Sequence, residues 1–151
     1  MKGVRLDNKD RKLLKLLANN SRTPLEKLAR EVGLGCSATW KRIKRMEREG
    51  VLLGYTISVN QALLGKEVVA FMLVGSSARK ERELVQTLER WPEVCEIHEV
   101  SSEGGGLLLK IRTRDHRSLA KIKDRIAERA PEANIRILEV ARTHKENSIS
   151  I

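Results

Sequence analysis

Apolar residues recur through the first fifty positions in three short bursts, each set off by polar or glycine-containing punctuation. Leu13, Leu14, Leu16 and Leu17 form one face of a segment that starts at Asp7 and runs out at Asn19 and Asn20, which predicts a helix over 7–18. Asp7, with Asp10 three residues on, has the spacing of an N-terminal cap. Leu25, Leu28, Ala29 and Val32 then repeat at helical spacing up to Gly33, and Thr23, Pro24, Leu25 and Glu26 read as a capping box with proline at the first helical position. A third helix is predicted over 36–49, opening after Gly33, Leu34 and Gly35 and closing at Gly50, a residue suited to a left-handed stop. Trp40, Ile43 and Met46 are its apolar residues. Thr39, Ile43 and Met46 fall on one face, and Ser37, Lys41, Lys44, Arg45 and Arg48 on the other.

Past Gly50 the pattern changes. The stretch VLLGYTISVN, rich in β-branched and aromatic residues, predicts a strand or wing that leads into a linker over 61–67. The order then becomes strand (68–75), helix (79–90), strand (94–101), glycine turn, strand (107–113), helix (117–129) and strand (134–141). Leu84, Val85, Leu88 and Trp91 make one apolar stripe and Leu119, Ile122 and Ile126 another, as two helices covering one face of a four-stranded antiparallel sheet require. The expected fold class is α+β. A (winged) helix-turn-helix domain with a hinge strand is expected over 1–60, and a ferredoxin-like βαββαβ domain over 68–151.

Charge sharpens this division. The 151 residues hold 30 Lys+Arg against 20 Asp+Glu, and positions 1–64 carry 14 of the basic and 6 of the acidic ones, a balance of +8. The remaining 16 and 14 leave only +2. An anionic partner for the first half is the simplest reading, because Lys and Arg neutralise phosphates and release counterions without reading sequence. A hydrophobic fraction of 40% excludes a disordered basic tail. No apolar run approaches the roughly 18–20 residues of a membrane span, and the opening MKGVRLDNKDRK has no signal-peptide core, so a cytoplasmic protein without a membrane partner is expected. Cys36 and Cys95 lie 59 positions apart with no CxxC pair, which fits neither a zinc site nor a disulfide scaffold. No metal or cofactor is expected. His98, His116 and His144 are scattered, and no acid–base pair or nucleophile constellation stands out, so catalysis is not expected either.

Helix, glycine turn, helix is the pattern whose second helix enters the major groove of DNA. Ser37, Ala38, Trp40 and Lys41, near the start of that helix, are the candidates to reach base edges, with Lys44 and Arg45 placed for base or phosphate contacts further along. Arg42 has two readings: a DNA contact, or a structural partner for a carboxylate on the first or second helix. Trp40 also has two, packing on a thymine methyl or sugar edge, or burial against the first helix.

Taken in order, LDNKDRKLLKLLANNSRTPLEKLAREVGL, KRIKRMEREGVLLGYTISVN and LLLKIRT resemble the Lrp/AsnC (feast/famine) family of transcription regulators over nearly the whole chain. The resemblance implies a DNA-reading N-terminal domain and a C-terminal RAM domain that dimerises the chain and frequently binds an amino acid effector. It also implies further assembly of dimers, often to octamers. Double-stranded DNA with palindrome-like sites, a homodimer and a nucleoid-associated location follow as expectations. Three departures from the family pattern stand out. Gly35 replaces the usual serine before the recognition helix, and Trp40 occupies a position that is usually polar or small. Ser102, Glu103, Gly104, Gly105 and Gly106 stand where relatives carry a Gly-x-x-Asp-like turn that contributes to the effector pocket. With Gly106 at the aspartate position, a carboxylate for an amino acid's ammonium group is missing unless Glu103 supplies it; the glycines read otherwise as a flexible hairpin turn. Two rival functions share this layout. One is a low-specificity architectural DNA-binding protein. The other is an enzyme similar to the siroheme decarboxylases, whose pattern needs histidine and arginine in a tetrapyrrole pocket.

Overall fold

Asp7 fixes where the chain first turns helical. In the computed structural model, which describes residues 4–101 and 105–146, its carboxylate accepts the Asp10 backbone N–H at 2.9 Å, and the Asp10 carboxylate accepts the Asp7 N–H at 3.0 Å. This reciprocal box satisfies two donors that the helix leaves open and starts α1, Asn8–Asn19. α2 is Leu25–Val32 and α3 is Cys36–Arg48. Gly33 (φ +62°) ends α2 and Gly50 (φ +69°) follows α3, both in the left-handed region that disfavours a side chain. The N–H groups of Val51 and Leu52 then donate to the Met46 carbonyl at 2.9 and 3.1 Å, fastening the end of α3. Leu13, Leu17, Leu28, Val32, Ile43 and Met46 form the core between the three helices.

Two local expectations are corrected. Thr23 does not cap α2: its hydroxyl donates back to the Asn20 carbonyl at 2.7 Å, Pro24 takes the cap position, and no side chain bonds to the first turn. Asn20 had drawn Thr23 into its own turn, where a hydroxyl competes with the cap. Nor is there a strand or wing over 51–60. Leu53, Tyr55, Ile57 and Val59 all lie exposed there, and no described strand pairs with them. β-propensity measures fit to a pleated, partnered surface, and within one chain that partner is not supplied.

The described residues divide into two compact units, one comprising 4–58 with 145–146 and the other Val59–His144. The second opens with a 3₁₀ turn, Ala62–Leu64, then runs β1 (Val68–Gly75), α4 (Ala78–Leu88), β2 (Val94–Glu99), β3 (Leu107–Thr113), α5 (His116–Arg129) and β4 (Asn134–Glu139). The sheet order is β2-β3-β1-β4 with every neighbouring pair antiparallel, the ferredoxin-like arrangement. Ala70, Met72 and Val74 of β1 and Leu107, Leu109 and Ile111 of β3 face Leu84, Leu88, Leu119, Ile122 and Ile126 of the two helices. Strand alternation sends Val69, Phe71, Leu73, Leu108 and Leu138 to the opposite face. No helix among the described residues is long and apolar enough to cross a membrane.

Candidate nucleic-acid interface

α3 is held by one edge and bare along another. Thr39, Ile43 and Met46 are buried, and the Thr39 hydroxyl, with no access to water, donates to the Gly35 carbonyl at 3.1 Å. Ser37, Ala38, Trp40, Lys41 and Lys44 are exposed. Trp40 retains 49% of its surface, which rules out burial against α1. Its ring is covered instead by the Lys44 ammonium, 4.6 Å from the centroid. Lys44 also donates to Glu47 at 2.6 Å, and Glu47 accepts the Tyr55 hydroxyl at 3.0 Å. Those two donors, Lys44 foremost, hold the Glu47 carboxyl below its ordinary value; burial, aided by Glu47, raises the Tyr55 phenol.

The arginines between these positions turn the other way. Arg42 Nη1 lies 2.6 Å from Asp7 Oδ2 and 2.9 Å from Asp10 Oδ1, and Arg45 Nη2 lies 2.5 Å from Asp10 Oδ2. The Asp10 side chain is only 1% exposed, so both oxygens of a buried carboxylate are used by guanidinium groups from one edge of α3. Asp7 is held down to about 2, first by the Asp10 N–H and then by Arg42. Of the two readings of Arg42, the structure has the pairing with a first-helix carboxylate, and Arg45, expected at the DNA, shares it. Asp10 is the residue that sequence reasoning treated as a cap alone. Its signal was a matched spacing: acids three apart on α1, arginines three apart on α3.

Other cations are also engaged internally. Lys9 donates to the Gly33 carbonyl at 3.2 Å, and Lys12 bonds the Glu31 carbonyl and lies 3.6 Å from its carboxylate, placing positive charge at the C-terminal end of α2. Lys41 and Arg48 make no ion pair among the described residues.

In the second unit, Ser102, Glu103 and Gly104 of the expected effector loop lie outside the described residues. Gly105 (φ +66°) and Gly106 (φ +135°) complete the turn before β3. Gly106 is buried, and a Cβ there would meet the Val74 carbonyl oxygen at 2.9 Å, so it serves close backbone approach and not a flexible hairpin. His98 pairs with Glu96 at 3.2 Å, His116 with Glu139 at 3.1 Å, and His144 lies exposed beyond β4. Cys36 and Cys95 are free and exposed.

Residues 6–47 match the model of the AsnC-type helix-turn-helix domain. Over 145 residues the chain is 30% identical to the HTH-type transcriptional regulator FL11 of Pyrococcus horikoshii, covering 96% of this chain and 95% of that one. The chain belongs to the Lrp/AsnC family. This Lrp/AsnC protein is likewise 30% identical to the HTH-type transcriptional regulator Ptr1 of Methanocaldococcus jannaschii, over 95% of its own length and 97% of the relative's. Its fold superposes on that of the feast or famine regulatory protein from M. tuberculosis complexed with L-methionine, with a TM-score of 0.88, 28% identity and coverage of 97% and 99%. Like these relatives, it is a DNA-binding transcription regulator of the Lrp/AsnC type, an α+β chain with a helix-turn-helix and a RAM domain.

Proposed function

We propose that this regulator reads duplex DNA with the exposed edge of α3, that it does so as a homodimer or a multiple of dimers at palindrome-like sites, and that a free amino acid modulates it. The observation that carries the reading is the exposed run Ser37, Ala38, Trp40 and Lys41 on a helix whose other edges are fixed. A helix inserted in the major groove presents its N-terminal residues to base edges, and Trp40 offers an apolar face to a thymine methyl. Lys44 and Arg48, with Lys41, supply phosphate contacts; Arg42 and Arg45 act from behind.

The open sheet face, with Val69, Phe71, Leu73, Leu108 and Leu138, supports dimerisation through a second copy of this chain. The methionine-bound relative supports an amino acid as the effector class. Gly105 and Gly106 are the described residues of the turn where that effector is sought. A DNA-bound regulator of this kind works in the cytoplasm, at the nucleoid, and uses no cofactor or catalytic step.

Selection of bound fragments from random DNA, with and without a panel of amino acids, tests this. One recovered half-site motif repeated about one helical turn apart is the expected result. Fragments with no common motif would favour the architectural reading. On any duplex, Lys41→Ala is expected to weaken binding and lower the slope of log affinity against log salt by about one. A slope unaltered by that substitution removes α3 from the interface.

A further inference from the structure

α3 carries five cations between positions 41 and 48, Lys41, Arg42, Lys44, Arg45 and Arg48, and its two inner arginines are its best phosphate ligands by geometry. Both are occupied. Arg42 and Arg45 sit one turn apart and converge on the two oxygens of one carboxylate from α1, at 2.9 and 2.5 Å, while Asp7 takes a further contact with Arg42 at 2.6 Å. A helix tethered at two points on adjacent turns to a single buried group cannot roll about its axis without pulling one guanidinium away. Asp10, 1% exposed, has no water to replace it, so the release of both arginines would strand a buried charge.

We propose that Asp10 is a positioning residue for DNA reading: it fixes the rotation of α3 that presents Ser37, Trp40 and Lys41 to the bases, and it withholds two guanidinium groups from the phosphates. Discrimination between sequences is then set by the orientation of the exposed edge. Phosphate affinity, which raises all sequences together, is kept low. The inference rests on α3 being the DNA-facing helix.

The test uses the full chain and two duplexes of equal length, one of random sequence and one recovered by selection, with affinity followed by fluorescence anisotropy across a range of salt. For Arg42→Gln combined with Arg45→Gln, the salt slope on random DNA is expected to stay at the wild-type value while the preference for the selected duplex falls about tenfold. For Asp10→Asn, affinity for random DNA should rise and the slope steepen by about one to two as the freed arginines reach phosphates, again with lost preference. A slope that flattens by about two in the double arginine variant overturns the proposal, because those arginines would then be phosphate contacts. So does an unchanged preference in both variants. Circular dichroism checks folding; if either variant does not fold, the triple variant Asp10→Asn with Arg42→Gln and Arg45→Gln, which leaves no buried charge unpaired, decides, its salt slope expected to stay at the wild-type value while the preference falls about tenfold. Lys41→Ala in the same assay separates the two ideas: no effect there sinks the interface itself, whereas a normal Lys41 effect with unaltered arginine and Asp10 behaviour sinks only the positioning role.

Discussion

Thirteen buried apolar residues fill the space between sheet and helices in the C-terminal unit, and among its described residues the buried polar side chain is Thr113, whose hydroxyl donates to the Asp115 carbonyl at 3.0 Å. The N-terminal unit has a core of six, and beside it a fully buried carboxylate. Ladder hydrogen bonds and apolar area define the first of these structures, since a shifted register would turn every inward side chain outward. Three short helices have no such ladder. Their mutual angles depend on few side chains, and an ion pair that tolerates one geometry supplies specificity that a small apolar surface does not. The comparison teaches that the helix-turn-helix is held by a small apolar core together with a buried ion-pair cluster, and the RAM domain by packing.

The largest test of that contrast is cavity formation. Leu13→Ala and Leu109→Ala each remove a fully buried side chain, at about 2–5 kcal/mol. Hydrogen exchange resolved by segment should show Leu13→Ala abolishing protection across α1 to α3, because the core there is small, while Leu109→Ala lowers protection in the sheet without erasing it. Equal losses in both units from either change would break the comparison. A smaller effect is expected from Gly106→Ala, about 1–3 kcal/mol, from its φ of +135° and the 2.9 Å approach to Val74. Thermal unfolding should record it in the sheet unit, with the helix-turn-helix signal unmoved.

The smallest effect lies in acid. Asp7 is lowered from 3.8 to about 2 in the folded chain, so its contribution is complete above about pH 4 and disappears as pH falls through 2. Asp7→Asn keeps a capping side chain but loses the charge facing Arg42. Its unfolding transition should therefore depend less on pH between 4 and 2 than the wild type's; identical acid limbs would remove Asp7 from the charge restraint.

What could be read from the residues was whatever a few neighbouring positions decide. Gly33 and Gly50 need left-handed backbone, Asp7 and Asp10 cap one turn, and the alternation of β1 and β3 names the inward residues, so the helix-turn-helix and the βαββαβ order were both legible. The stretch 51–60 misled because strand formation needs a partner outside the segment. Thr23 misled because two turns compete for one hydroxyl. The pairing of Asp10 with Arg42 and Arg45 spans more than thirty positions and exists only once α1 and α3 pack, which is why the charge on α3 read as a DNA-facing face when part of it looks inward.

The separation of α3 into an exposed edge and a restrained edge also bears on how readily its target can change. Among the described residues, positions 37, 38 and 41 carry no capping bond or ion pair, and the ring at 40 meets the Lys44 ammonium and not the clamp, so exchange at these positions leaves the pairs at 42 and 45 in place. On the proposed reading, a different operator is then reachable by exchange at four sites. A library randomised at those four alone would offer a scaffold for retargeting in which altered preference and intact structure are inherited separately.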